Sequence, residues 1–252
     1  MDPFGTSRSR VRDDHALICP DSFVPAPLPG WVGAKCVVLV SPPMGARFVQ
    51  YLALMDPGAT AAPATSGVER VLFVLEGSVT LFLANDENHH LGPGAYAFVS
   101  ADDAGSLRAA GSSRLCVFEK VYEPFAGVDP PRTYVGHERD VDGAPFLGDP
   151  DALLQVLLPD DPAFDLAVNV FAFRPGATLP MVEVHVMEHG LLMLEGQGVY
   201  RLADSWYPVR AGDAIWMAPY CPQWFVAMGR GPARYLYYKD VNRYPMRTRD
   251  DS

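Results

Sequence analysis

The sequence predicts an all-β fold of two tandem, jelly-roll-like β-barrels with short helices in the connectors. Three observations carry that expectation. First, blocks of sequence recur at a near-constant spacing, the mark of a duplicated unit. Pro57-Gly-Ala-Thr60 returns 118 residues later as Pro175-Gly-Ala-Thr178, and Gly94 returns as Gly212. Leu75-Glu-Gly77 returns 119 residues later as Leu194-Glu-Gly196, and Lys120 as Lys239. Second, each copy is a series of short apolar runs punctuated by Gly and Pro, as in sandwiches and barrels. Third, a polar stretch rich in Pro, Gly and Asp separates the copies, giving the order strand-rich unit, linker, strand-rich unit.

Along the chain, the amino terminus Met-Asp-Pro-Phe-Gly-Thr-Ser-Arg-Ser-Arg is polar and forms an arm. Val71–Leu75 and Val79–Leu83 are apolar enough for buried strands. Asn85–His90 is a polar loop, so the adjacent His89 and His90 are expected in solvent. Roughly Pro124 to Asp149 reads as a connector, and Asp151–Leu158 as a short helix. Leu191-Leu-Met-Leu-Glu-Gly196 is a buried strand running into a turn, followed by strands at Ala214–Ala218 and Tyr235–Tyr238. The domains expected are residues 1–125 (a barrel with its arm), 126–149 (connector) and 150–252 (a second barrel). His15 and His137 fall in polar tail and connector and are given no role.

Composition bounds the function. The 252 residues are 49% hydrophobic and 20% charged, so the chain buries a substantial core and is not disordered. A formal charge of −10 argues against nucleic acid, whose phosphates need concentrated positive charge. No run approaches membrane-spanning length, and no apolar leader region is evident, so a soluble cytoplasmic protein is expected. The four cysteines form no C-x-x-C pair and are expected to be reduced thiols. Cys221, two residues before Gln223, reads as a small buried hydrophobe.

The chemistry concentrates in Glu183-Val-His185-Val-Met-Glu-His189-Gly190, with Gln223 following a Gly-Asp turn. Glu183, His185 and His189 share strand parity, yet a straight strand at ~3.3 Å per residue puts the outer two roughly 20 Å apart. The chain must therefore bend between His185 and His189 if one ion is to be held. His185-Val-Met-Glu188-His189 also fits H-x-x-E-H, a helical zinc-peptidase pattern. Pro175-Gly176, Pro180 and Gly190 leave too little room for such a helix. Two histidines and a glutamate within seven residues of otherwise apolar sequence favour a metal site over packing, since buried charge is costly unless paired or metal-bound.

The repeat sharpens this. At the 119-residue offset Glu183 falls on Ala64, His185 on Ser66, His189 on Arg70 and Gln223 on Ala104. Only the second copy carries the set, so the first barrel is expected to be structural. Imidazole suits many transition metals, and carboxylate and amide oxygen shift the preference toward harder ions such as Mn(II) or Fe(II). A set without cysteine suits a catalytic site with open positions better than structural zinc.

These motifs carry a resemblance. Glu183-x-His185-x3-His189 with Gln223 takes the four ligand places of a cupin barrel in permuted form. With Gly196-Gln-Gly-Val-Tyr200, Gly212–Pro219, Pro222-Gln-Trp224, Tyr235–Arg243 and Gly67–Gly77, the chain resembles the bicupin family of (S)-ureidoglycine aminohydrolases over nearly its whole length. The resemblance implies manganese-dependent hydrolysis of (S)-ureidoglycine to (S)-ureidoglycolate and ammonia, in allantoin and purine breakdown. It implies Glu183, His185, His189 and Gln223 as metal ligands, and Tyr200, Tyr235 and Lys239 as substrate contacts beside Gln223. Glu183, Tyr235 and Lys239 are the catalytic candidates, with the proton carrier left between a ligating carboxylate and a tyrosine. A small-molecule substrate and a homo-oligomer are expected. An Fe(II)-dependent dioxygenase and a non-catalytic ligand-binding cupin are the alternatives. Trp216 and Trp224 are read as cavity wall or core.

Overall fold

The recurrent Leu-Glu-Gly motif marks the same device in both halves, a strand end that turns where no side chain fits. Gly77 and Gly196 have φ of 73° and 74°. A Cβ on Gly77 would lie 2.2 Å from the Ser112 carbonyl oxygen, and one on Gly196 2.2 Å from that of Pro232. Only glycine meets both conditions.

The computed structural model describes residues 7–244. It is almost wholly antiparallel β-structure and resolves into two units. One comprises residues 24–141 and 157–165. Its sheet runs Tyr134–His137, Ala95–Val99, Val68–Glu76, Ser113–Val121, Val49–Ala61, Ser106–Ala109, Val79–Phe82, Asn88–Leu91, with Trp31–Val40 also on Val49–Ala61. The sheet encloses a core that includes Tyr51, Leu72, Val74, Leu81 and Val117.

The other unit comprises residues 7–23, 142–156 and 166–244. Its eight-stranded sheet runs Arg10–Val11, His15–Ile18, Ala214–Met217, His189–Glu195, Ala233–Asp240, Leu166–Phe173, Asp149–Val156, Ala144–Phe146. A three-stranded sheet of Ser205–Arg210, Gln197–Leu202 and Gln223–Ala227 supplies further core residues. Leu191, Ile215 and Tyr235 from the larger sheet join Tyr200, Leu202 and Phe225 from the smaller in one apolar cluster. Among the described residues no helix is long and apolar enough to cross a membrane.

Several local expectations are corrected. Residues 149–156 form a strand, not the helix expected over Asp151–Leu158, because Ala152 to Val156 pair with Phe173 to Asn169. Sheet pairing overrides the local preference of Ala-Leu-Leu-Gln. The amino-terminal segment does not stay with the first half: His15–Ile18 pairs with Ala214–Met217 in the second unit. His15 is thus buried at 2% exposure, between Asp14 and the Tyr207 hydroxyl. The connector is itself structured, giving Tyr134–His137 to one sheet and Ala144–Phe146 to the other. His89 and His90 lie on a strand, Asn88–Leu91, with His90 exposed. Short 3-10 turns at Pro20–Ser22, Pro42–Met44 and Glu138–Asp140 are the helical content among the described residues.

Candidate metal centre

Glu183 and His185 lie in an irregular segment, and His189 opens the strand His189–Glu195. Glu183 and Gln223 exchange backbone hydrogen bonds of 2.8 and 2.9 Å, and the Tyr220 N–H donates to the His185 carbonyl at 2.7 Å. These bonds tie the segment to the 218–223 turn, so the chain bends between His185 and His189. His185 Nε2 then stands 3.1 Å from His189 Nε2 and 2.9 Å from Gln223 Nε2. A half-turn of the Gln223 amide presents its oxygen to the same point.

Glu183, His185, His189, Tyr200, Gln223, Tyr235 and Lys239 all line one cavity of about 180 Å³. Burial, then neighbouring His185 and Lys239, hold the His189 imidazole well below its usual pKa, and burial lowers that of His185. Both rings are therefore neutral, the form that ligates metal. Burial raises the Glu183 carboxyl, and Lys239 pulls it back down. The Tyr200 and Tyr235 rings pack 6.3 Å apart, and the Tyr200 hydroxyl donates to Gln223 Oε1 at 3.4 Å. Burial pushes both phenols far up, so they are neutral donors at physiological pH. Two neutral imidazoles, a carboxylate and a rotatable amide around one small cavity fit a divalent ion of Mn(II) or Fe(II) type. Among the described residues, the ligand atoms of Asp14, His15 and Cys221 also lie within 4.8 Å of one another. Both ring nitrogens of that histidine are already engaged, and burial raises the Cys221 thiol to about 11. Glu183 does not form a group of that tightness with the two imidazoles, so its carboxylate is less closely gathered than they are.

The same ladder position in the first unit is filled differently. Arg70 pairs with Val99 and Glu119, just as His189 pairs with Met217 and Lys239. The structural counterpart of Lys239 is thus Glu119, not the Lys120 that the repeat offset suggests. Arg70 Nε is 2.7 Å from Glu119 Oε1, which also accepts from the Tyr51 hydroxyl at 3.0 Å. Arg70 Nη1 donates to the Ala62 carbonyl at 2.8 Å, with the guanidinium over Trp31. A protein cation with its own counter-ion occupies the place where the second unit gathers metal donors.

Sequence reasoning missed Tyr237, Phe171, Phe146, Leu154 and Met187, which also line the cavity. Tyr237 was findable, since it shares strand parity with Tyr235 and Lys239. Trp216 and Trp224 do not line it. Trp216 is 1% exposed and donates to Glu188 Oε2 at 3.4 Å, while Trp224 donates to the Leu179 carbonyl at 2.7 Å.

A family model described as a cupin domain matches residues 169–238. An (S)-ureidoglycine aminohydrolase of Arabidopsis thaliana is 43% identical over 244 residues, 96% of this chain and 80% of the relative. One of Escherichia coli K12 is 34% identical over 90% of this chain and 88% of the relative. A crystal structure of a putative glyoxylate-induced protein from Pseudomonas aeruginosa superposes with a TM-score of 0.87 at 32% identity, covering 98% of this chain and 96% of that one.

Proposed function

The chain belongs to the (S)-ureidoglycine aminohydrolase family of cupins, and on that footing we propose how its cavity works. The protein is a hydrolase that cleaves the C–N bond at the central carbon of (S)-ureidoglycine, releasing ammonia and (S)-ureidoglycolate. Glu183, His185, His189 and Gln223 would hold a divalent ion, and within the Mn(II) or Fe(II) type that the donors suit Mn(II) is the ion proposed. Bound there, such an ion supplies Lewis acidity and a fixed point of attachment.

The remaining work belongs to the side chains. Lys239, on the cavity wall, offers a point charge for the substrate carboxylate. The neutral phenols of Tyr200 and Tyr235 offer hydroxyls that orient the ureido group, and packing of their rings, 6.3 Å apart, holds them in place. Attachment at carboxylate, ureido group and amine selects one enantiomer. In the hydrolysis a water gives its hydroxyl to the central carbon and its proton to the departing ammonia, a transfer handled by the Glu183 carboxylate or a neighbouring tyrosine. The cavity of about 180 Å³ holds the substrate and the water that attacks it close to these side chains.

The observation that supports this reading best is that His185 Nε2 stands within 3.1 Å of both His189 Nε2 and Gln223 Nε2 in the cavity that Lys239 lines. The test is elemental analysis of the purified protein with an ammonia assay on freshly generated ureidoglycine, run with and without oxygen. Stoichiometric manganese and oxygen-independent ammonia release are expected. Dependence on oxygen, or no ammonia from the manganese-loaded protein, rejects the assignment.

A further inference from the structure

Two cavity-lining residues come from the end of the connector and the strand that follows it. Phe146 ends the strand Ala144–Phe146 and Leu154 lies in Asp149–Val156. Together these strands form a hairpin at the edge of the eight-stranded sheet. Both side chains pack on the core of the second unit. Phe146 meets Phe171 edge-on at 4.9 Å between ring centroids, and Leu154 is the cross-strand partner of Phe171. Phe171 in turn contacts Tyr235 at 5.5 Å and Tyr237 at 5.7 Å. The hairpin is therefore an apolar wall continuous with the tyrosines.

Its backbone is shaped around Phe146. The ladder jumps from Pro145↔Leu153 to Phe146↔Asp149, an irregularity of the kind that re-aims a side chain. Leu147 and Gly148 then close a two-residue turn with φ of 51° and 89°. Two successive positive φ values suit Asn-Gly, and a leucine there is strained. Leu147 is 67% exposed, so burial of its own side chain does little to offset that strain. What the turn does achieve is to place Phe146 at the cavity.

At about 180 Å³ the cavity is smaller than the ~300–1,000 Å³ of sites that take drug-sized ligands. This inference rests on the aminohydrolase reading. We propose that Phe146 and Leu154 are specificity-determining residues. They leave room for a free amine on the reacting carbon and exclude the diureido acid, in which that amine carries a second carbamoyl group. The diureido acid keeps the carboxylate and one ureido group of the substrate, so Lys239 and the phenols cannot reject it. Steric exclusion can, and discrimination of this kind works by building a clash against the competitor.

Calorimetric titration of the manganese-loaded full-length protein with the diureido acid tests this apart from turnover. Wild type is expected to bind at least tenfold more weakly than Phe146→Ala or Leu154→Ala, at unchanged metal content. Phe146→Leu, which keeps an apolar contact with Phe171, is expected between them and covers the case where alanine does not fold. Equal affinity in wild type and variants, including no binding in either, overturns the proposal. Loss of metal from Phe146→Leu also overturns it, since the wall would then be structural support. A wild type that releases no ammonia from ureidoglycine rejects the functional reading instead, and leaves the calorimetric comparison to decide size selection.

Discussion

Lys239 and Tyr237 show what one residue contributes and how far each is legible. Lys239 faces the cavity beside His189. Removing its charge as Lys239→Met deletes the carboxylate contact while leaving the metal donors in place. A KM raised about 10- to 100-fold is expected, equivalent to ~1.4–2.8 kcal/mol, with bound manganese unchanged. An unaltered KM removes Lys239 from substrate recognition. Tyr237 is 7% exposed, packs against the His189 ring at 5.6 Å, and is kept neutral by burial. Tyr237→Phe deletes only a hydroxyl from the cavity wall, so kcat/KM should fall about tenfold with bound manganese unchanged, and an unaltered kcat/KM removes that hydroxyl from substrate contact. Alternation along Tyr235–Lys239 made Tyr237 available to sequence reasoning. Phe146 was not, because nothing local says that a connector strand folds back to the cavity.

Elements were legible where one backbone rule governs them and illegible where a partner strand decides. The Leu-Glu-Gly turns follow from glycine chemistry alone, which makes them testable by a matched pair. Gly176 has φ of 86° and open space where a Cβ would project, whereas at Gly196 a Cβ meets the Pro232 oxygen. Gly176→Ala should cost about 1 kcal/mol for its backbone conformation. Gly196→Ala should cost distinctly more, read as a lower denaturant midpoint; equal losses would remove the steric argument. Residues 149–156 are the contrary case. Their apolar run fits a helix or a strand, and only pairing with Leu166–Phe173 decides it. The segment 157–165 belongs with the first unit, where Asp165 (0% side-chain exposure) ion-pairs with Lys120 (2%). Asp165 also accepts the Glu123 N–H at 2.7 Å. Truncating either partner of a buried pair costs ~3–5 kcal/mol, so Asp165→Ala should destabilise by about that much. The raised pKa of Lys120, in which Asp165 and Glu123 outweigh the larger single effect of burial, sets the pH window. The stabilisation is complete below the unfolded lysine value of ~10.4 and is lost only as pH rises through the higher folded value. Urea melts at pH 6 and pH 9 should show the same deficit in the variant.

For the whole molecule, the duplicated architecture raises the question of how many ions one chain holds. Each repeat presents equivalent ladder positions, and the first fills them with Arg70 and Glu119. A guanidinium bonded to Glu119 fills that place and offers no lone pair to a divalent cation. One equivalent of metal per chain is therefore expected, lost in His185→Ala and retained in Cys221→Ala. Loss of metal in Cys221→Ala alone would move the ion to the Asp14–His15–Cys221 triad. Chelation should also lower stability, by ~2.7 kcal/mol relative to protein at a free metal concentration a hundred times Kd. His185→Ala should show no such difference between chelated and metal-supplemented samples. The insensitivity is the stronger result, because a chelator that acts on the fold at large would destabilise both proteins alike. Only a site containing His185 makes the response depend on that residue.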